Sequence, residues 1–252
     1  MLLRQNAKME KTLVDIATGR PYLSAGVTLA PHNLSGFNVC DGASTGCAAS
    51  CVLWFAGLRA TSTSRNSAIR DTQWLFGHRR SFIDQLNRDI ANHVQRAERD
   101  QFVPVVRLNV ASDLDWRDVI EQWPTVQFYD YTKIRSRFSA YLAGELPQNY
   151  ALTFSRHEKH HTATIASYLR RGGNIAQVFD VEYNPQHGKI GPLPEAVRIH
   201  GDEWSVIDGD KHDIRLPSID GRGVVVGLRL KGTSAAKSRA RHNRFAMGGD
   251  NP

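Results

Sequence analysis

Apolar positions recur along this chain with two different periods, and the alternation between them predicts its architecture. From Ser67 to about Asp100 the side chains Leu75, Phe82, Leu86, Ile90 and Val94 return at seven and then four residues, the stripe of a helix packed on one face. Gly77 inside that stretch argues against one straight helix. Beyond it, VPVVRLNV (103–110), TVQFYDY (125–131), YALTFS (150–155), IAQVFDV (175–181) and GVVVGLRL (223–230) carry the β-branched and aromatic content of strands. Segments near 115–122, 132–143 and 159–171 have helical character and lie between them, and Gly172 and Gly173 mark a helix stop. A further strand is expected within 25–39, and the less periodic stretch from Asn184 to Gly221 reads as an irregular excursion with a short strand at 204–207. Strands separated by helices imply a parallel sheet. The expected fold is α/β, a partial (βα)6 TIM-like barrel with a cysteine loop after its first strand. Residues 1–231 form one domain in this reading.

Composition narrows the function classes only slightly. With 252 residues and 41% hydrophobic content a sizeable core is expected. No apolar run approaches twenty residues, and MLLRQNAKMEKTL lacks a signal-peptide pattern, so the expectation is a cytoplasmic protein with no membrane partner. The formal charge of +7 draws on Lys231, Lys237, Arg239, Arg241 and Arg244 near the C-terminus. Residues 232–252 accordingly read as a basic, poorly ordered tail, either a solvated end or a segment that contacts nucleic acid.

The chemistry concentrates in CDGASTGCAASC, where Cys40, Cys47 and Cys51, the only cysteines of the chain, fall within twelve residues. An odd count leaves a thiol over from any disulfide. A zinc site wants four ligands, and only His32 stands near enough in sequence to complete a Cys3His set. Three soft thiolates on a loop of small residues suit a [4Fe-4S] cluster with one iron open to substrate, and inert buried thiols are the remaining alternative.

In parallel α/β folds ligands bind beyond the carboxyl ends of the strands, which singles out the polar residues there. Asn109, Ser112 and Asp113 follow the second strand, Tyr129, Asp130, Tyr131 and Lys133 the third, Ser155, Arg156 and His157 the fourth, and Asp180 the fifth. Arg229 and Lys231 end the last. Asn109, Ser112, Tyr131 and Ser155 are candidate cofactor ligands; Asp113, Arg156, Asp208 and Lys231 are candidate catalytic groups. Each has a plainer use. Asp113 and Asp115 can cap a helix, the tyrosines can pack, and Arg156 suits either a bound carboxylate or phosphate or a structural ion pair. His157, Glu158, His160 and His161 lack the HExxH order of a metal helix, and Asp208, Asp210, His212 and Asp213 lack the length of a calcium loop.

The cysteine loop followed by strand-helix units resembles the radical S-adenosylmethionine (SAM) architecture, in which a three-cysteine loop holds a cluster whose open iron chelates SAM. The spacing departs from that family's CxxxCxxC, with six and then three intervening residues, and RLNVASDLDW stands where a GGE-like segment would. A closer resemblance is to the phage-encoded gene product 88 family, carried by CDGASTGCAASC, RLNVASDLDW, VQFYDYTK, YALTFSRHEKH, VIDGDKHDIR and GVVVGLRLKG. That resemblance implies a phage origin and the host cytoplasm, and no particular reaction. The expected function is a cluster-dependent enzyme that binds SAM or a small-molecule substrate at the open iron. The alternative is a nucleic-acid- or host-protein-binding protein with a structural or sensory metal centre.

Overall fold

The computed structural model describes residues 1–55 and 62–248. Its central element is a nine-stranded sheet built on six parallel strands in sequence order: β2 (Tyr22–Val27), β3 (Val103–Arg107), β4 (Gln127–Thr132), β5 (Tyr150–Ser155), β6 (Asn174–Phe179) and β11 (Val225–Arg229). A short β1 (Leu3–Arg4) pairs antiparallel outside β2. At the other edge, β10 (Asp202–Asp208) runs parallel to β11, and β9 (Ala196–Ile199) folds back on β10. The turn between those two is His200-Gly201, with φ of 54° and 88°, the positive pair that a two-residue type I′ hairpin requires. A separate small hairpin is formed by β7 (Tyr183–Asn184) and β8 (Lys189–Ile190).

This arrangement corrects the expectation of a partial (βα)6 TIM-like barrel, since the six strands lie within one nine-stranded sheet extended at both edges by antiparallel pairs. The two edges of the sheet are β1 and β9, which do not pair, so the sheet is open and no barrel closes. The periodicity specified parallel strands alternating with helices, but closure depends on what lies at the edges. Two elements outside the strand-helix count, β1 and the β9–β10 hairpin, occupy them. The crossover from β6 to β11 is also not a single helix but the excursion that carries β7 to β10.

The connecting helices are α1 (Thr45–Ala49), α2 (Val52–Phe55), α3 (Ser62–Gly77) and α4 (Arg79–Arg99) before β3, α5 (Arg117–Ile120), α6 (Arg135–Ala143) and α7 (Thr162–Arg170) before β4, β5 and β6, and α8 (Pro217–Asp220) before β11. The expected helical stripe is thus two helices, broken after Gly77 at His78, whose φ of −143° and ψ of 57° leave the helical region. On α4 the residues Phe82, Leu86 and Ile90 are fully buried, as their spacing requires. Gly172, at φ 82°, ends α7 by donating its N–H to the Leu169 carbonyl.

Strand periodicity sorts side chains between two faces. Val106, Phe128, Leu152, Phe154 and Ile175 pack with the helices in the main core, while Tyr22, Val105, Tyr129 and Ala151 pack with Ile214 and Leu216 on the opposite face. That second face also buries charge. Arg107 donates to both carboxylate oxygens of Asp213, at 2.9 and 3.1 Å, and the Tyr129 hydroxyl donates to Asp213 at 3.0 Å. The Arg215 guanidinium pairs with Asp220 at 3.0 Å, and the Arg107 guanidinium lies 4.7 Å above the Tyr131 ring. These pairs fasten residues 212–220 across the strands.

The tail expectation also changes. Residues 234–242 form α9 (Ser234–His242), capped by the Thr233 hydroxyl, which accepts from the Ala236 N–H. Ala236 and Ala240 are buried, and Met247 bridges to Phe179 at the end of β6. Residues 249–252 lie outside the described ones.

Candidate metal centre

The loop that follows β2 crosses the carboxyl ends of the parallel strands, and each cysteine is half-buried with none in a disulfide. Its placement follows from a few contacts. The Asp113 N–H donates to the Val39 carbonyl at 2.8 Å, tying the segment before Cys40 to the end of β3. Glu158, just past β5, accepts from the Ser44 hydroxyl at 2.7 Å and from the Gly46 N–H at 3.1 Å. Ser44 in turn caps α1 by accepting from the Cys47 N–H. On the other side, Arg239 of α9 donates to the Ala49 carbonyl at 2.8 Å. Two glycines make this packing possible. A Cβ on Gly42 would stand 2.7 Å from the Lys133 Cβ, and one on Gly46 would stand 2.9 Å from a Glu158 carboxylate oxygen.

Cys40 is the best-defined thiol. Its Sγ accepts from the His32 N–H and donates to the Ala111 carbonyl, both at 3.4 Å. Burial pushes it up to about 11, helped by the Cys47 and Cys51 thiols, whereas Lys133 acts in the opposite direction. Cys47, Cys51 and Lys133 thus each act on the Cys40 thiol. Among the described residues no three His, Cys, Asp or Glu side chains stand in the arrangement of a single metal ion. His32 meets Cys40 through its backbone N–H. What the site offers is a donor set of three soft thiols on one loop, with one backbone N–H, that of His32, aimed at the Cys40 sulfur; soft thiolates are the ligand type that iron–sulfur clusters take.

Around this loop the structure gathers several of the expected rim residues. Asp113 pairs with Arg137 at 2.5 Å and accepts from the Lys133 N–H at 2.7 Å, so it braces the loops after β3 and β4 and does not cap α5. Lys133 donates from Nζ to the Ser155 hydroxyl at 2.7 Å. Asn109 is saturated by its own loop. Its side-chain oxygen accepts from Ser112, the Leu114 N–H and Trp116, and its amide donates to the Leu114 carbonyl. Ser112 is spent on the same bond, and Tyr131 lies against Arg107 on the opposite face. Asp208 and Lys231 belong to a separate ionic cluster at the end of β11. There Arg229 pairs with Asp208 at 2.9 Å and with Asp210 at 3.2 Å, while Lys231 pairs with Asp210 at 2.6 Å. The segment after β10 is accordingly a turn held by ion pairs, with the Asp210 N–H donating to Asp208 at 2.9 Å. Three basic residues of α9 are engaged as well, since Arg241 pairs with Asp180 and Lys237 and Arg239 donate to carbonyls.

One residue enters that the sequence reading did not single out, Gln177, and one strand-end residue, Asp130, takes a buried structural role. Gln177 is buried in β6 and accepts from Arg156 at 2.6 Å; a glutamine inside the apolar run IAQVFDV was the available signal. Asp130, fully buried in β4, accepts from the Asn109 N–H at 2.7 Å and from the Tyr150 hydroxyl at 3.1 Å. Burial pushes its carboxyl up to about 7, against the pull of Arg107 and these donors. The folded chain then keeps a proton that the unfolded chain releases near pH 4. This group makes stability fall as pH rises from about 4 to about 7. Denaturant titrations across that window are expected to show a shallower fall for Asp130→Asn than for the parent chain.

The fold and site define an α/β protein with an open, mostly parallel sheet and a three-cysteine loop across the strand ends. The chain belongs to the Gene product 88 family, whose pattern matches residues 1–245 and so bears out the resemblance to the phage gene product 88 proteins. No curated protein and no solved structure matches it. Among the described residues no helix is long and apolar enough to cross a membrane.

Proposed function

We propose that Cys40, Cys47 and Cys51 hold a [4Fe-4S] cluster with one iron free of protein ligands, and that the chain is an enzyme acting on a small molecule at this rim. One observation carries the reading: the only three thiols of the chain sit on a single loop that Glu158, Asp113 and Arg239 hold over the strand ends. A cluster with an open iron supplies an electron or a Lewis acid to whatever binds there. The surrounding residues have definable parts. The His32 N–H donates to the Cys40 sulfur, a contact of the kind that tunes a thiolate ligand. Lys133, anchored on Ser155, brings positive charge toward the thiols. Glu158 fixes the loop through Ser44 and Gly46, and Gly42 lets it lie directly on Lys133.

SAM is the first candidate for the open iron, on the strength of the loop's place after the first parallel strand. The test is the EPR spectrum of the reduced, anaerobically reconstituted chain with and without SAM, followed by product analysis. A changed spectrum together with 5′-deoxyadenosine supports a radical reaction. An intact reduced cluster whose spectrum ignores SAM, with none of that product, rules SAM out and leaves non-redox chemistry such as sulfur transfer or removal at the open iron.

A further inference from the structure

Arg156 is a buried cation without a buried anion. It follows β5 directly, is only 8% exposed, and forms no ion pair among the described residues. Its one side-chain hydrogen bond runs from Nη1 to the Gln177 side-chain oxygen at 2.6 Å. The Arg156 Nε and the Gln177 Nε2, both out of reach of solvent, have no acceptor among the described residues. The other buried arginines are neutralised, Arg215 by Asp220 and Arg229 by Asp208 and Asp210, and the half-buried Arg107 is paired with Asp213. Taking a guanidinium out of water without a counter-charge is strongly unfavourable, and a buried N–H left unpaired adds to that. Such a group calls for an explanation, and an anion supplied from outside the chain is one that also answers the missing counter-charge.

The neighbours agree. His157 and His160 stack at 3.5 Å between ring centroids beside the start of α7, and the His160 ring lies 4.7 Å from Phe154. Burial pushes His160 down to about 3, and His157, Lys133, Arg135 and Arg156 all act in the same direction. Burial also lowers His157, against the pull of the neighbouring Glu158. Arg156 is itself pushed down to about 10 by burial, with no carboxylate acting to raise it. Lys133 and Arg135 add positive charge around His160, and the nearby carboxylate, Glu158, is turned to the cysteine loop, where it accepts from Ser44 and Gly46.

We propose that Arg156 and Gln177 form a subsite for the carboxylate of a small-molecule ligand. The unused N–H groups of the guanidinium and the amide are donors suited to a carboxylate, and one buried positive charge matches one negative charge better than it matches a doubly charged phosphate. Lys133 lies directly under Gly42 of the cysteine loop and donates to Ser155, the residue before Arg156, so the subsite and the loop share one rim. The inference stands apart from the cluster reading, because it uses none of the cysteines.

The test uses the full chain without added metal, titrated with acetate at constant ionic strength against chloride, with thermal unfolding and calorimetry as readouts. Acetate is expected to raise Tm where chloride does not, and inorganic phosphate is expected to do less than acetate. Gln177→Glu places a carboxylate beside Arg156 within the chain. It is expected to raise Tm in the absence of acetate and to weaken acetate binding at least tenfold. The double change Arg156→Met, Gln177→Leu removes the charge and its partner together; it is expected to fold and to lose the acetate response. The proposal is overturned if acetate acts no differently from chloride, if phosphate binds more tightly than acetate, or if Gln177→Glu lowers Tm and leaves acetate binding intact.

Discussion

Alanine at Cys40 is expected to abolish the iron and inorganic sulfide that the parent chain takes up on anaerobic reconstitution, while leaving the far-UV circular dichroism spectrum of the metal-free protein unchanged. Two facts separate those outcomes. Cys40 is half-buried and its sulfur makes two long contacts, to the His32 N–H and the Ala111 carbonyl, so its loss removes little that holds the fold. The loop is fixed independently of the thiols, through Glu158 to Ser44 and Gly46, Asp113 to Val39, and Arg239 to Ala49. A cluster with three protein ligands has no spare one, so iron content should fall more than about tenfold, as a lost ligand or its support costs metal affinity 10- to 100-fold or more. Cys47→Ala and Cys51→Ala are expected to behave alike. Retention of iron by all three single variants would dissociate the thiols from any metal.

The largest loss of stability is expected from Asp213→Ala, at about 3–5 kcal/mol by denaturant unfolding, the range for stripping one partner from a buried ion pair. Asp213 is nearly inaccessible and receives two hydrogen bonds from Arg107 and one from Tyr129, whose hydroxyl in turn meets the Ser24 hydroxyl at 2.7 Å. Removing the carboxylate strands the Arg107 charge between β3 and residues 212–220. The paired change Arg107→Met, Asp213→Leu removes both charges and should recover much of the loss. A loss below about 1 kcal/mol for Asp213→Ala would mean that water replaces the carboxylate and that the site is not sealed. Acid acts in the same sense. Burial works to raise the Asp213 carboxyl, but Arg107, Lys8 and the hydrogen bonds outweigh it and hold it below its usual value. The stability it contributes is present above about pH 4, the unfolded value, and is lost as pH falls through the depressed one.

Much of the fold could be read from spacing. The five strands after residue 100, the helices between them and the Gly172 stop all lie where the periodicity puts them, because half-buried strands and one-faced helices leave unambiguous patterns. Less legible was what happens at the edges. Leu3–Arg4 is too short to register as a strand, although Leu2 and Leu3 are buried and both of their N–H groups donate to the buried Asp89 of α4. Strand and helix counts alone therefore suggested a barrel where an open sheet exists. Helix α9 was hidden by composition: Ala236 and Ala240 are small, and the basic residues around them read as solvated until Asp180, Tyr183 and Ala49 are seen to receive them.

The candidate site divides in the same way. That the cysteine loop and the strand-end residues would share a rim followed from the parallel topology, and Asp113, Lys133, Ser155 and Glu158 do meet there. Which of them are spent on one another did not follow. Asn109 looks like a ligand in sequence and is a loop organiser in space. Arg156 suits either a bound anion or a structural ion pair in sequence, and in space it has no carboxylate partner among the described residues. Partners separated by tens of residues, such as Arg156 with Gln177 or Arg107 with Asp213, are fixed by register between strands and loops, which a single sequence does not display.

The central claim is that the three thiols form one metal centre, and the most direct measurement is the iron, zinc and inorganic sulfide content of the full chain after anaerobic purification and reconstitution. Iron and sulfide in equal amounts, about four of each per chain for a cubane, with a broad visible absorption that bleaches on reduction, is the predicted result. Stoichiometric zinc in a colourless protein, or no metal held even after reconstitution, would contradict it.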